Sequence, residues 1–163
     1  MRVNLVSGST GAGKTSFARK LAEEKQAVRF SIDEWMNNLY WPDQAPGADY
    51  RWAIERVERC EHQIWASALE VLRCERGVIL DLGFTERRQR ARFAKWAMEA
   101  EAALVTYFVT ANPDVRRARV RQRNVEKRET FEFEVTDDMF DFMEGIFEPP
   151  TDDEPGKLEI IQT

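Results

Sequence analysis

The chain has 163 residues, of which 43% are hydrophobic and 33% are charged, and its 24 Lys and Arg against 29 Asp and Glu give a net charge of −5. This composition excludes a disordered chain, and the acidic balance argues against a general nucleic-acid binder, because such proteins are usually basic. At roughly 100–200 residues per domain, we expect a single domain over residues 1–163. No apolar run approaches the roughly 18 residues of a membrane span, and the N-terminus does not have the pattern of a signal peptide. We therefore expect a cytoplasmic protein.

Strands and helices alternate along the chain. Runs of β-branched and apolar residues predict strands at residues 2–6, 28–31, 78–80, 104–110 and 158–162. Apolar residues at helical spacing predict helices after residue 14, at about 50–75, around 93–100, and over 113–124 and 136–147. This alternation predicts an α/β fold with a parallel sheet that is covered by helices on both faces. Ligands bind such a sheet beyond the carboxyl ends of its strands.

A glycine-rich segment lies between the first strand and the first helix. Residues 8–15 read GSTGAGKT and match G-x-x-x-x-G-K-[ST], the phosphate-binding P-loop. The glycines allow backbone N–H groups to face inward as an anion site, and the helix N-terminus adds its positive dipole. Lys14 can reach the β- and γ-phosphates and is a predicted catalytic residue. The predicted nucleotide-binding residues of this segment are Gly8, Ser9, Thr10, Gly11, Ala12, Gly13, Lys14, Thr15 and Ser16.

Two aspartates stand at the ends of predicted strands. Asp33 follows the second strand, where it or Ser31 can cap a helix, and where a carboxylate can also accept the proton of an attacking hydroxyl. The two roles are compatible, and we favour the catalytic base. Asp81 closes the apolar run 78–80, a Walker B pattern whose carboxylate holds Mg²⁺ directly or through water. Thr15 and Asp81 are therefore the predicted metal site.

Arginine is concentrated in one predicted helix. Residues 114–128 hold seven Lys and Arg against two acids. On a helix, Arg116, Arg119 and Arg123 fall within about 60° of one another. Their planar guanidinium groups match phosphate oxygens, and phosphoryl transfer needs such charge over the γ-phosphate. We predict that Arg119 and Arg123 are catalytic.

These segments together resemble the small P-loop kinases related to the polynucleotide kinase domain, with zeta toxins and chloramphenicol phosphotransferase as more distant relatives. The resemblance rests on residues 8–15, 31–35, Asp81 and 119–124, and it spans nearly the whole chain. It implies a P-loop NTPase three-layer sandwich whose five-stranded parallel sheet has the order 2-3-1-4-5. It also implies a helical lid, at about residues 114–150.

The same resemblance implies ATP as the phosphoryl donor, Asp33 as the base, and Arg119 and Arg123 as lid arginines that touch nucleotide and phosphate. The predicted activity is transfer of the γ-phosphate of ATP·Mg to a hydroxyl of a small-molecule acceptor. One alternative is a polynucleotide 5′-hydroxyl kinase, but residues 34–36 after the base read EWM, without the basic or polar residues that a nucleic-acid end needs. The other alternative is a non-catalytic nucleotide-binding switch or regulatory protein.

The acceptor pocket is predicted between the second strand and the helix at 50–75. Aromatic rings can stack on a sugar or a base, and polar groups beside them can bond hydroxyls. The alternative is that the aromatic residues cover the core. The candidate residues are Trp35, Asn38, Tyr40, Trp41, Asp43, Tyr50 and Trp52.

Other features favour ordinary structural roles. Cys60 and Cys74 are predicted on the apolar stripe of one helix, about 21 Å apart and so too far for a disulfide. Thr85 is predicted to cap the following helix, and most of the four arginines at 87–92 to form a solvated face. The eleven acids of residues 129–154 are likewise expected on a solvated face, with Arg117 and Arg121 paired to nearby acids.

Overall fold

Five parallel strands form the central sheet of the computed structural model, which describes residues 1–45, 47, 49–126 and 134–163. The strands are β1 (Arg2–Ser7), β2 (Val28–Ser31), β3 (Val78–Gly83), β4 (Ala103–Thr110) and β5 (Lys157–Gln162). Their order across the sheet is β2-β3-β1-β4-β5, and each neighbouring pair is parallel. The predicted fold class and strand order are confirmed.

Six α-helices connect these strands in the described part of the chain. They are α1 (Lys14–Lys25), α2 (Ile32–Leu39), α3 (Tyr50–Arg73), α4 (Arg87–Glu99), α5 (Pro113–Glu126) and α6 (Asp137–Ile146). The apolar spacing predicts all of them except α2, a short helix whose N-cap Ser31 accepts a hydrogen bond from the Glu34 N–H at 3.4 Å. None of these described helices combines the length and apolar composition that crossing a membrane requires.

Helices cover both faces of the sheet, so the central strands β1 and β3 are buried over most of their length. On one face, Leu5 and Leu80 pack in a cluster with α2, α3 and α4. On the other face, Val6 and Ile79 pack with α1. All four side chains are 0% exposed, as expected of apolar runs in a parallel sheet that is covered on both sides. The result is the predicted sandwich of three layers.

The two cysteines lie in different environments, contrary to the prediction of a shared apolar stripe. Cys60 is buried in α3, where its Sγ lies 3.9 Å from Met36 Sδ. Cys74 is exposed, because α3 ends at Arg73 and leaves this residue as the C-cap. Both thiols are free.

The arginines of α4 are paired with acids, so the prediction of a mostly solvated face is wrong for its inner side. Arg90 is 2% exposed, and its guanidinium donates two hydrogen bonds of 2.7 Å to the Glu154 carboxylate. A third hydrogen bond, of 3.0 Å, reaches the carbonyl of Phe84. Arg92 pairs with Glu61, which is 2% exposed. Arginines and glutamates that the sequence suggests are on the surface therefore form ion pairs inside the protein.

The segment after α6 attaches to the beginning of α4. The N-cap of α4 is Glu86, not the predicted Thr85. The Arg87 N–H, the first donor of the helix, instead donates to the Glu148 carboxylate at 2.6 Å. The Arg87 guanidinium also pairs with Asp153 at 2.6 Å. Residues 148–154 thus accept a backbone hydrogen bond and supply negative charge at the N-terminus of α4. They also hold the end of α6 beside α4.

Replacing Glu154 with Gln is expected to lower the free energy of unfolding by about 3–5 kcal/mol, because it leaves the buried Arg90 guanidinium without a counter-charge. The measurement is urea denaturation of the wild type and the variant at pH 7. The matched control is Asp153→Asn, whose partner Arg87 is exposed, and no measurable loss is expected there. Equal losses in the two variants would contradict this assignment.

Candidate functional site

The segment between β1 and α1 forms a loop whose backbone conformation requires glycine. Gly11 has φ +78°, and a Cβ at this residue would lie 2.5 Å from the carbonyl oxygen of Arg116. Gly13 has φ +86° and is the N-cap of α1, so the free N–H groups at the start of that helix face the loop. This geometry is the anion site that the sequence predicts for residues 8–15.

Lys14 lies over this loop, and its Nζ donates a hydrogen bond of 3.0 Å to the carbonyl of Ser9. Burial lowers the pKa of Lys14, and the positive charges of Arg123 and Arg116 lower it further. The carboxylates of Asp81 and Asp33 act in the opposite direction. An ammonium group that has lost hydration through burial is stabilised by an anionic ligand.

Asp81 lies at the predicted position near the carboxyl end of β3 and is 5% exposed. Burial raises the pKa of its carboxyl group, and the charges of Arg29 and Lys14 oppose that shift. Hydrogen bonding to the Thr15 side chain also lowers the pKa of this carboxyl group, although less than these charges do. A carboxylate and a hydroxyl side by side are the oxygen ligands that Mg²⁺ prefers, so the residues present fit the predicted metal site.

Arg29 is a site residue that the sequence analysis does not identify. It lies in β2, beside β3, and its Nε donates to Asp81 Oδ2 at 3.2 Å. Its two terminal nitrogens donate to Glu34 Oε1 at 2.9 and 3.0 Å. The guanidinium therefore links the predicted metal ligand to α2, the helix that carries Asp33.

Asp33 is exposed and lines the same cleft as Lys14 and Thr15. It is in the first turn of α2, where Ser31 is the N-cap. The helix therefore does not need the Asp33 carboxylate as its cap. Of the two roles that the sequence allows, capping belongs to Ser31.

The arginines of α5 separate into three groups. Arg119 and Arg123 line the cleft, and Arg119 Nη1 also donates to Thr163 Oγ1 at 2.8 Å. Arg117 and Arg121 pair with acids of α6, as predicted. Arg116 is 5% exposed and does not line the cleft, although its helical position is close to those of Arg119 and Arg123.

Glu144 of α6 explains the burial of Arg116. The Arg116 guanidinium donates to both carboxylate oxygens of Glu144, at 2.7 Å to Oε1, and to the carbonyl of Thr10 at 3.2 Å. The Ser9 hydroxyl donates to the same carboxylate. The expectation that the acids of residues 129–154 form a solvated face is therefore wrong for Glu144, which connects α6 to the phosphate-binding loop.

One cleft of about 450 Å³ joins these groups. Besides the polar residues above, it has an apolar wall, formed by side chains of α5, of α6 and of the residues beside α6. The members of this apolar wall are Val120, Val135, Met139, Met143 and Phe147. The sequence shows the helical spacing of the methionines, but that spacing does not distinguish a core face from a cleft.

The predicted acceptor wall at residues 35–52 does not form part of the described lining of this cleft. Trp35, Tyr40 and Trp41 are partly buried and pack instead against the core cluster that contains residues of α3. Trp41 and Trp52 contact each other, with ring centroids 5.5 Å apart. The side chain of Tyr50 lies outside the described residues. The alternative that the aromatic residues cover the core is the correct one for these side chains.

Comparison with known proteins identifies a matching family and several solved structures with a similar fold. Residues 3–150 match a protein family described as an AAA domain. No curated protein matches the chain. A provisionally named kinase from Chloroflexus aurantiacus has a TM-score of 0.77 and 17% identity, and the match covers 99% of this chain and 88% of that one.

Two further structures have the same fold. Kti12 from Chaetomium thermophilum, solved in complex with ADP-AlF3, has a TM-score of 0.71 and 19% identity over 99% of this chain and 88% of that one. A sugar kinase from Janibacter has a TM-score of 0.63 and 15% identity over 99% of this chain and 85% of that one. At these identities the likeness concerns the fold alone. With the glycine loop, the sheet order and the family match over most of its length, the chain belongs to this AAA-domain family of P-loop kinases.

Proposed function

We propose that the protein is a kinase that transfers the γ-phosphate of ATP to a hydroxyl group of a small molecule. The observation that carries the proposal is the position of Asp33, an exposed carboxylate in the same cleft as the phosphate-binding loop. A carboxylate beside a bound γ-phosphate can orient an attacking hydroxyl and accept its proton. A protein that only binds nucleotide has no need of such a group.

The triphosphate is held by the loop of residues 8–16 and by Lys14. The backbone N–H groups of the loop and the N-terminus of α1 donate to the phosphate oxygens, and Lys14 contacts the β- and γ-phosphates. The lowered pKa of Lys14 supports this role, because its main cause is burial of the ammonium. Pairing with a phosphate anion stabilises that charge.

Thr15 and Asp81 are the residues that would hold Mg²⁺, through the hydroxyl and the carboxylate respectively. When bound there, the ion supplies positive charge to the β- and γ-phosphate oxygens. Arg29 keeps the Asp81 carboxylate in place through the 3.2 Å hydrogen bond from its Nε. The same guanidinium holds Glu34, the neighbour of Asp33, and so fixes the start of α2 relative to β3.

The transfer step uses Asp33 together with Arg119 and Arg123. The acceptor oxygen bonds to the γ-phosphorus, its proton moves to the Asp33 carboxylate, and the bond from the γ-phosphorus to the bridging oxygen breaks to release ADP. Arg119 and Arg123 line the cleft and stabilise the negative charge on the transferring group. The predicted lid spans residues 114–150, of which 127–133 lie outside the described residues. In this proposal its helices α5 and α6 bring these arginines to the phosphates.

A nucleotide-binding switch with little turnover is the second candidate. The contact of Glu144 with Ser9 favours it, because a nucleotide that displaces this contact would also move α6. The two candidates differ in one requirement. A kinase consumes ATP in proportion to an acceptor, whereas a switch needs no acceptor at all.

Lys14→Ala is expected to weaken ATP binding by at least about tenfold, because a hydrogen bond to a charged group contributes about 1.5–3 kcal/mol. Titration calorimetry with ATP·Mg measures this affinity. Lys20→Ala is the matched control, since Lys20 is an exposed lysine of the same helix that pairs with Glu24. An unchanged affinity and turnover in Lys14→Ala would show that the loop does not hold the triphosphate.

Asp33→Asn is expected to leave ATP affinity nearly unchanged and to lower acceptor phosphorylation by roughly 10²–10⁴-fold, the contribution of a general base. The substitution keeps the shape of the side chain and removes only its capacity to accept the proton. Product formation from labelled ATP, measured across a panel of alcohols, gives the rate. Asp43→Asn, which changes an exposed aspartate outside the described cleft lining, is the control. Full activity in Asp33→Asn would place the base elsewhere.

The lid prediction is tested by hydrogen exchange. Backbone amides of α5 and α6 are expected to exchange more slowly when ATP·Mg is added at saturation, because closure over the triphosphate orders both helices. Amides of α3, none of whose residues is in the described cleft lining, serve as the internal control. Equal exchange of α5 and α6 with and without nucleotide would argue against a lid.

A further inference from the structure

The lining of the cleft has two chemically different parts. One part is polar and contains the phosphate-binding loop, Lys14 and Asp81. The other part is the apolar wall defined above, whose five side chains include no acid, base, hydroxyl or amide. The proposed function assigns the polar part to the triphosphate and leaves the apolar wall without a ligand.

Two contacts fix the position of the apolar wall. The Phe147 ring stacks on Phe108 of β4, with centroids 5.9 Å apart and planes inclined by 29°. The Glu148 N–H donates to the carbonyl of Thr85 at 2.9 Å, which attaches the end of α6 to the loop after β3. β3 pairs with β2, and Asp33 follows β2 in the first turn of α2. The apolar wall and Asp33 line the same cleft, so an acceptor bound at Asp33 can reach the wall.

Few polar side chains are available to an acceptor bound at Asp33. Beyond the phosphate-binding loop, the described lining includes Asp81, Arg119 and Arg123, which the proposed function assigns to the metal and the phosphates. Of the remaining lining side chains, Asp33 and Thr85 could bond hydroxyl groups, whereas Ser31 is only 4% exposed. A sugar or another polyol would leave most of its hydroxyls against Met139, Met143 and Phe147. Each such hydroxyl would lose its hydrogen bonds to water without replacement.

We infer that the acceptor is an alcohol whose reacting hydroxyl is attached to an apolar body, and not a polyol or a sugar acid. This inference rests on the proposed function and names the substrate class of the same site. The apolar body packs on Met139, Met143 and Phe147, and the hydroxyl points toward Asp33. Methionine side chains adapt to irregular shapes, so the wall accepts aliphatic and aromatic bodies of similar size. The products are a phosphate monoester of that alcohol and ADP.

The first test compares alcohols that share a 1,2-diol and differ in the group attached to it. Glycerol carries a third hydroxyl group, whereas 3-phenylpropane-1,2-diol carries a phenyl ring in its place. Phosphorylation from labelled ATP is expected to show a kcat/KM at least about tenfold higher for the phenyl compound, since apolar groups in an apolar pocket discriminate by about 10–200-fold. Gluconate is the charged polyol of the panel and is expected to be a poor acceptor. Equal or better phosphorylation of glycerol or gluconate would overturn the inference.

The second test changes the apolar wall. Met143→Gln and Met139→Gln keep the side-chain length and add a polar amide, and Met139 is 42% exposed, so its replacement is compatible with folding. The KM for 3-phenylpropane-1,2-diol is expected to rise about tenfold or more, while the KM for glycerol and the affinity for ATP stay the same. Met98→Gln, which alters a methionine of α4 that is 71% exposed, is the matched control. A fall in ATP affinity equal to the rise in KM would assign the wall to the nucleotide and overturn the inference.

The experiments distinguish failure of this inference from failure of the proposed function. Efficient phosphorylation of polyols that is lost in Asp33→Asn would keep the kinase and overturn the apolar acceptor. If no alcohol is phosphorylated, binding of 3-phenylpropane-1,2-diol to the protein saturated with a non-hydrolysable ATP analogue is measured by calorimetry. Binding that Met143→Gln weakens would then support the apolar site and reject the transfer step. Absence of binding would overturn the site as well.

Discussion

The buried guanidinium of Arg116 is the group on which the site depends. It is 5% exposed and bonds the carbonyl of Ala111 at 3.0 Å, the carbonyl of Thr10 at 3.2 Å and the carboxylate of Glu144. A guanidinium removed from water is stable only with its charge balanced and its donors satisfied. In this structure these contacts connect the phosphate-binding loop to α5 and α6, the two helices that contribute to the apolar wall of the cleft.

The described lining of the cleft contains charged side chains of both signs. Lys14, Arg119 and Arg123 are the cations of the cleft, whereas Asp81 and Asp33 are its carboxylates. Burial lowers the pKa of Lys14 and raises that of Asp81, so each group loses hydration that a ligand of opposite charge can replace. The site thus favours an anion together with a cation, which is the combination that ATP·Mg presents. In the proposed reaction, Asp33 acts beside that complex.

Sequence reasoning predicts the parts of the site that are local in the chain. The loop of residues 8–16 and the aspartates at strand ends follow from motif and topology, since parallel strands bring their carboxyl ends to one edge. It misses Arg29 and Glu144, whose partners Asp81 and Arg116 are 52 and 28 residues away in the chain. Composition does not distinguish acids that are solvated from acids that pair with buried arginines. For the same reason, the spacing that predicts α6 does not indicate which of its side chains line the cleft.

The central claim is that ATP is consumed in order to phosphorylate a hydroxyl. The most direct measurement incubates the protein with γ-labelled ATP and Mg²⁺, with and without an alcohol from the panel, and follows ADP and the labelled products together. The account predicts that ADP forms in step with a labelled phosphate monoester and only slowly without the alcohol. ADP formation that is equal with and without every alcohol tested, with all label in inorganic phosphate, would contradict it.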